Sequence, residues 1–229
     1  YPRVKGSIWG KDGCYISSSR LDDLQCVFAS ANGLLQAEKV QKAAVMAVLD
    51  NEEVGSTTKQ GAASDFLKET IFRICREIGM DELERSRVMA SSFMVSADNA
   101  QAAHPNHMEK SDAVNRPFMN EGIVIKYNAN QRYTSDAVSS AIFKVICEKA
   151  KVPYQVYVNR SDIAGGSTLG NIAGTQISMN TVDIGLAQLA MHSSYETAGT
   201  KDTEYLVKAA RQFFECDIQC AEDGIFALR

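Results

Sequence analysis

Histidine is scarce in this chain. Its 229 residues include only His104, His107 and His192, so any metal site must draw most of its ligands from carboxylates. Other absences narrow the field further. No block of roughly five lysines and arginines occurs. Twenty-four basic residues face 28 acidic ones, a net charge of −4, so there is no electrostatic footprint for nucleic acid. No apolar run approaches the roughly 18 residues of a membrane span, and the first residues do not read as an apolar signal core or a transit-like segment. The six cysteines (Cys14, Cys26, Cys75, Cys147, Cys216, Cys220) form no Cys-x-x-Cys pair. That argues against a disulfide scaffold and a thiolate zinc site, and for reduced thiols in a cytoplasmic protein. Repeats and low-complexity tracts are also missing. The chain opens Tyr1-Pro2-Arg3-Val4-Lys5 without a methionine, from which we expect a cut or truncated chain.

What is present is an ordinary globular mixture, 45% apolar and 23% charged, long enough to bury a core. Strand-like and helix-like patterns alternate, which predicts an α/β layer architecture. Helices are expected over Leu21–Lys39, Ala62–Ile78, Tyr133–Ala150 (stopped near Pro153) and Thr200–Phe214. Strands are expected over Ala43–Leu49, Val88–Ala97, Gly122–Asn128, Tyr154–Asn159 and Gln176–Ile184. Two acidic groups then fall just past strand ends, Asp50-Asn51-Glu52-Glu53 after the first and Asp98 after the second. Open α/β sheets place ligands there.

Each acidic residue has a bland explanation. Asp22, in Arg20-Leu21-Asp22-Asp23, suits a helix N-cap, worth roughly 1 kcal/mol, although a tandem pair exceeds what capping needs. Asp98 fits a strand-end turn, and a lone histidine is more often a hydrogen-bonded structural residue. Glu52 and Glu53 are more telling. In extended backbone neighbouring side chains point to opposite sides, so one can ligate a metal while the other faces a water. A hydrolytic metal site needs that division, since the metal acidifies the water and a carboxylate takes its proton. Carboxylates converging in one cleft would otherwise repel and raise one another's pKa. A divalent pair removes the objection, and oxygen with imidazole ligands suits Zn²⁺, Mn²⁺ or Co²⁺.

Five segments occur in a telling order: Ser19-Arg20-Leu21-Asp22-Asp23; Asp50 to Ser56 with Gln60-Gly61-Ala62; Ser96-Ala97-Asp98 with His104-Pro105-Asn106; Ile125-Lys126 with Gln131-Arg132-Tyr133; and Gln188 to Ser193, which holds His192. From about Ile16 to Phe214 the chain resembles the aspartyl aminopeptidase and vacuolar aminopeptidase I family of dinuclear zinc aminopeptidases. The resemblance implies a mixed β-sheet sandwiched by helices, a zinc-peptidase (phosphorylase/hydrolase-like) catalytic domain that is incomplete here. Residues 1–229 would be its C-terminal portion, without the N-terminal segment and the dimerisation domain.

The resemblance also implies roles. Asp22 bridges two Zn²⁺ ions, Glu53 and His192 complete the second ion's ligands, and Asp98 holds the first. Glu52 is the general base. Lys126 and Tyr133 line the pocket for the substrate's first side chain, where a lysine favours Asp or Glu. On its own, Lys126 also reads as a snorkelling edge-strand lysine. In the glycine-rich Asp162–Gly170 stretch no lysine follows the last glycine, so it is not a phosphate loop. The family places it at the pocket, with Asp162 on the substrate's free amine and backbone amides, such as that of Gly165, on its polar groups. His104 sits in the family's substrate segment. The expected partners are peptides and other copies of the chain, with dodecamers common in the family, and neither nucleic acid nor membrane.

The chain also departs from the pattern. No histidine precedes Asp22, so the first zinc lacks its imidazole unless His104 replaces it, and we expect the chain alone to be inactive or nearly so. Gln101 stands where relatives usually place a histidine. Asp23 is nearer the aminopeptidase I branch than the aspartyl-specific one. A neutral-residue aminopeptidase, a non-catalytic assembly paralogue and a carboxypeptidase or deacylase with a similar core are the competing readings.

Overall fold

A computed structural model describes residues 2–222 and 225–229. The strands are β1 (Ser7–Trp9), β2 (Tyr15–Ser18), β3 (Phe93–Ala97), β4 (Ala100–Gln101), β5 (Ile123–Tyr127), β6 (Tyr154–Val158), β7 (Asn180–Gly185), β8 (Ala187–Leu189), β9 (Glu196–Gly199), β10 (Ile218–Glu222) and β11 (Ile225–Leu228). The helices are α1 (Leu21–Gln36), α2 (Phe66–Glu77), α3 (Glu82–Ser91), α4 (Ala137–Ala150), α5 (Leu169–Gln176) and α6 (Thr200–Glu215).

Two sheets carry the fold. The first runs β3-β7-β5-β6 and is mixed, with β3–β7 and β5–β6 parallel and β5–β7 antiparallel. The second runs β1-β2-β9-β8-β4. They are continuous at one place. β3 passes through Asp98 and Asn99 into β4 while β7 passes through Leu186 into β8. The ladder runs on unbroken across the join, through Asp98 N–H to Ile184 O (3.1 Å), Ala100 N–H to Leu186 O (2.8 Å) and Ala102 N–H to Gln188 O (2.8 Å). The main core lies between the first sheet and α1, α4 and α6, with Ile123, Ile125, Phe143, Ile146, Val182, Ile184 and Leu206 fully buried. β5 is a central strand, hence its near-continuous apolar run. Val124, pointing the other way, joins a small cluster with Ala100 and Ala187.

Most of the predicted elements are present, with shifted limits. α1 stops at Gln36. α2 starts at Phe66, not Ala62. α4 starts at Ala137, behind a capping box in which Asp136 accepts from Ser139 N–H. The Val88–Ala97 strand shortens to Phe93–Ala97. A second capping box, Asp81 with Glu84, starts α3 and carries helix through Ser91. Likewise α5 occupies the chain up to Gln176, and β7 begins only at Asn180.

The expected buried strand over Ala43–Leu49 does not form. That stretch has no regular structure, and Val45 and Val48 are 55% and 56% exposed. A strand requires a ladder partner, and no strand of the described residues pairs there. Among the described residues no helix is long and apolar enough to cross a membrane.

Candidate metal centre

Four connections meet beside the junction of the sheets. β3 delivers Asp98. The turn from β2 into α1 delivers Asp22 and Asp23, which do not cap the helix. Their backbone is non-helical, the peptide bond between them is cis, and Arg20 before them has a left-handed φ of 60°. The turn between β8 and β9 delivers His192, itself at φ 66°. Glu52 and Glu53 lie in a turn after Asn51 (φ 66°), closed by Gly55 N–H on Asn51 O (2.9 Å). The extended backbone expected at the two glutamates is therefore absent, because the strand meant to precede them is absent.

The predicted ligands converge. His192 Nε2 is 3.4 Å from Asp22 Oδ2 and 3.2 Å from Glu53 Oε2. Asp22, Glu53 and His192 offer donor atoms all within 4.8 Å of one another, as do Asp22, Asp23 and Asp98. Asp22 is shared by both groups. Its side chain is only 5% exposed, whereas His192 is 62% exposed, so the cluster is open on one side. Burial, and then the charges of Asp98, Glu53 and Asp23, push the Asp22 carboxyl up to about 9. Burial followed by Asp98 also raises Asp23 well above the carboxylate range. The carboxyl of Glu52, the chain neighbour of Glu53, is raised by burial, then by Asp98 and Glu53.

These residues suit a divalent metal. Asp22 Oδ1 is buried without a hydrogen-bond partner, and such an orphaned oxygen is costly unless something positive meets it. Carboxylates held this close call for a cation, and carboxylate with imidazole is a donor set that zinc accepts.

A second layer fixes the first. Asn99 is buried and bonded on every side. Its N–H donates to Asp23 Oδ1 (3.1 Å), and its side-chain amide to Gln188 Oε1 (2.6 Å), Gln25 Oε1 (3.2 Å) and Leu21 O (3.3 Å). Its Oδ1 accepts from Cys26 Sγ (2.8 Å). Gly185 lies under Asp98, and a Cβ there would come within 2.1 Å of Asp98 O. Glu196, buried at the start of β9, accepts from the backbone of two predicted ligands. Asn99 and Glu196 carry little signal in the sequence. Their only signal is adjacency to Asp98 and a four-residue spacing from His192.

The predicted substrate residues do not all reach the cluster. Lys126 is buried, its Nζ 3.2 Å from Asp98 Oδ2 and 5.7 Å from the centre of the Tyr133 ring. It is a central-strand lysine inside a charge cluster, not a snorkelling edge residue. Burial works against its charge, but Asp98 and then Asp183 outweigh burial and hold its pKa above the usual lysine value. Tyr133 is buried, 6.2 Å ring to ring from Tyr157. Gly165 packs on Asn159, whose Oδ1 would lie 2.4 Å from an added Cβ, and Asn159 donates to the Tyr157 hydroxyl at 2.9 Å. Gly165 thus reaches Tyr133 through two side chains.

Asp162 is exposed and paired with Arg160, whose guanidinium lowers its pKa. His104 is also exposed, its Nδ1 accepting from Asn106 N–H (3.2 Å) and its ring 5.1 Å from that of His107. It belongs to neither ligand group among the described residues.

Fold and cluster together describe an α/β protein with a carboxylate-rich cluster suited to a divalent metal. Comparison with known proteins makes the class specific. Residues 1–214 match the family model described as aminopeptidase I zinc metalloprotease (M18), and the chain belongs to that family. It is 48% identical over 214 residues to the probable M18 family aminopeptidase 2 of Clostridium acetobutylicum and 39% identical to that of Stutzerimonas stutzeri. Each alignment covers 93% of this chain. The chain spans about half the length (49%) of these curated relatives. Among solved structures, a chain of the Ape4 and Nbr1 complex superposes with a TM-score of 0.88 at 38% identity, over 93% of this chain and 41% of that one. Saccharomyces cerevisiae mApe1, solved as a dodecamer, gives 0.81 at 28% identity, over 93% and 48%.

Proposed function

We propose that this chain carries the metal-binding part of an aminopeptidase that removes one residue from the N-terminus of peptides. One observation carries the reading: Asp22, Glu53 and His192 present donor atoms within 4.8 Å of one another, with Glu52 alongside, in a chain of the M18 family. Asp22, Glu53, His192 and Asp98 would hold two zinc ions, with Asp22 common to both. Bound zinc supplies Lewis-acid activation of water and of the scissile carbonyl.

The remaining chemistry belongs to the chain's own residues. Glu52 takes a proton from the attacking water, whose oxygen bonds to the carbonyl carbon. The C–N bond then breaks, and Glu52 returns the proton to the departing nitrogen. Burial, and then Asp98 and Glu53, raise the pKa of Glu52 above the ordinary carboxylate value, the direction that makes a carboxylate a better proton acceptor. Tyr133 and Lys126 would face the substrate's first side chain, with the strand–loop packing through Gly165 behind them.

Acidic first residues follow if Lys126 meets the substrate. A preference for neutral residues has its own support, since the Lys126 ammonium already pairs with Asp98 at 3.2 Å. Residues 1–229 are read as the C-terminal portion of the catalytic domain of a larger cytoplasmic protein. Closed homo-oligomers are proposed on the strength of the dodecameric relative. Hydrolysis of Asp-, Glu- and Leu-anilides with added Zn²⁺, Mn²⁺ or Co²⁺, alongside an end-labelled peptide, tests the reading. Loss of N-terminal residues supports it. Trimming from the C-terminus, or metal binding without turnover in the whole protein, would overturn it.

A further inference from the structure

Ligands delivered by separate turns need something to hold the turns in register. Asp22 follows β2, and His192 lies between β8 and β9. β9 is the strand between those two, pairing antiparallel with β2 (Ser18 opposite Glu196) and with β8 (Leu189 opposite Thr197). Its first residue is therefore flanked by both turns. That residue is Glu196, 2% exposed. Its Oε2 accepts the backbone N–H of Asp22 at 3.0 Å, and its Oε1 accepts the backbone N–H of His192 at 2.9 Å.

We infer that Glu196 is a positioning residue of the metal centre: one buried carboxylate fixes, through their backbone amides, two ligands from opposite sides. The inference rests on the proposed zinc site and adds a residue that would not touch the metal. The geometry singles out glutamate. Each oxygen serves one amide, and charge-assisted bonds of this kind are stronger than neutral ones. Glutamine offers one acceptor and would turn an N–H towards the other amide. Aspartate keeps both acceptors but is one methylene shorter.

The need is greatest at His192. Its backbone sits at φ 66°, uncommon for a residue with a side chain, and its imidazole is largely in solvent. A ligand on such a turn is pre-set only if the turn is. Residues of this outer layer typically change metal affinity by about 10–100-fold when altered.

The test is a cobalt(II) titration of this chain and of Glu196→Gln and Glu196→Asp, followed by visible absorption, with urea unfolding of each metal-free protein. We expect the folded variants to bind cobalt about 10–100-fold more weakly and with altered ligand-field bands. A purely structural role would lower the urea midpoint and leave the affinity of the folded protein unchanged, and that result overturns the inference. Amide hydrogen exchange in the metal-free parent chain decides the matter if the variants do not fold. Slowed exchange at both Asp22 and His192 supports the grip, and free exchange at the exposed His192 turn overturns it. If the parent chain binds no cobalt, the zinc reading fails and takes this inference with it. Equal affinities in parent and variants remove the inference alone.

Discussion

The Lys126 ammonium lies 3.2 Å from the Asp98 carboxylate, both largely buried, so a predicted substrate residue neutralises a predicted metal ligand. Removing one partner of a buried pair costs about 3–5 kcal/mol. Lys126→Met should therefore lower the stability of the metal-free chain by about that amount, measured by urea unfolding in chelator. Zinc should shrink the loss by taking over the neutralisation of Asp98, and Lys126→Met with Asp98→Asn should restore part of it. An unchanged midpoint in chelator would mean that the pair does not exist in solution.

The acidic cluster makes the metal-free chain sensitive to alkali. The Asp22 carboxyl is raised from 3.8 to about 9 in the fold. A carboxyl raised in the folded state favours folding while it is protonated. Its contribution is complete below the unfolded value near 4 and is lost as pH climbs towards 9. Melting temperatures in chelator should thus fall from pH 5 to pH 9, and fall less in Asp22→Asn. Equal slopes in the two proteins would show that Asp22 titrates normally.

Adjacent glutamates should fail in different ways. Glu53 lies 3.2 Å from His192 and within the ligand group, so Glu53→Gln should lose bound metal. Glu52 has the proposed proton-transfer role. In a preparation that turns over aminoacyl anilides, Glu52→Gln should keep its metal and lose about 10²–10⁴-fold in kcat. Elemental analysis beside steady-state kinetics separates the two effects.

Gly185 permits the close approach at the sheet junction. Because an added Cβ would meet Asp98 O at 2.1 Å, Gly185→Ala must shift Asp98 or its strand. We expect a loss of about 1–3 kcal/mol, the usual cost of overpacking, and weaker zinc binding. Alanine of parental stability and zinc affinity would show that the junction is looser than drawn.

Periodicity located the long elements because they bury one face. α1, α4, α6, β5 and β6 lie within a few residues of their predicted limits. What stayed hidden depends on partners distant in sequence. The apolar stretch at Ala43–Leu49 satisfies every local requirement of a strand, yet pairs with nothing among the described residues. The short strands β4, β8 and β9 carry too little pattern of their own and form because β3 and β7 run on together. At the site, Asp22, Glu53, Asp98 and His192 were legible as ordered motifs, and they converge. Asp162 and His104 were legible in the same way and do not join them: Asp162 pairs with Arg160, and His104 accepts from Asn106. Glu196 bonds to backbone amides and Asn99 to an amide network, and the sequence marks them only by adjacency to Asp98 and spacing from His192.

Zinc content is the most direct test of the central claim. The chain would be equilibrated with zinc, freed of unbound metal by gel filtration and analysed beside Asp22→Ala. Zinc retained by the parent chain and lost from the variant is the result this account predicts. A parent chain without zinc, or an Asp22→Ala chain holding as much as its parent, would contradict it.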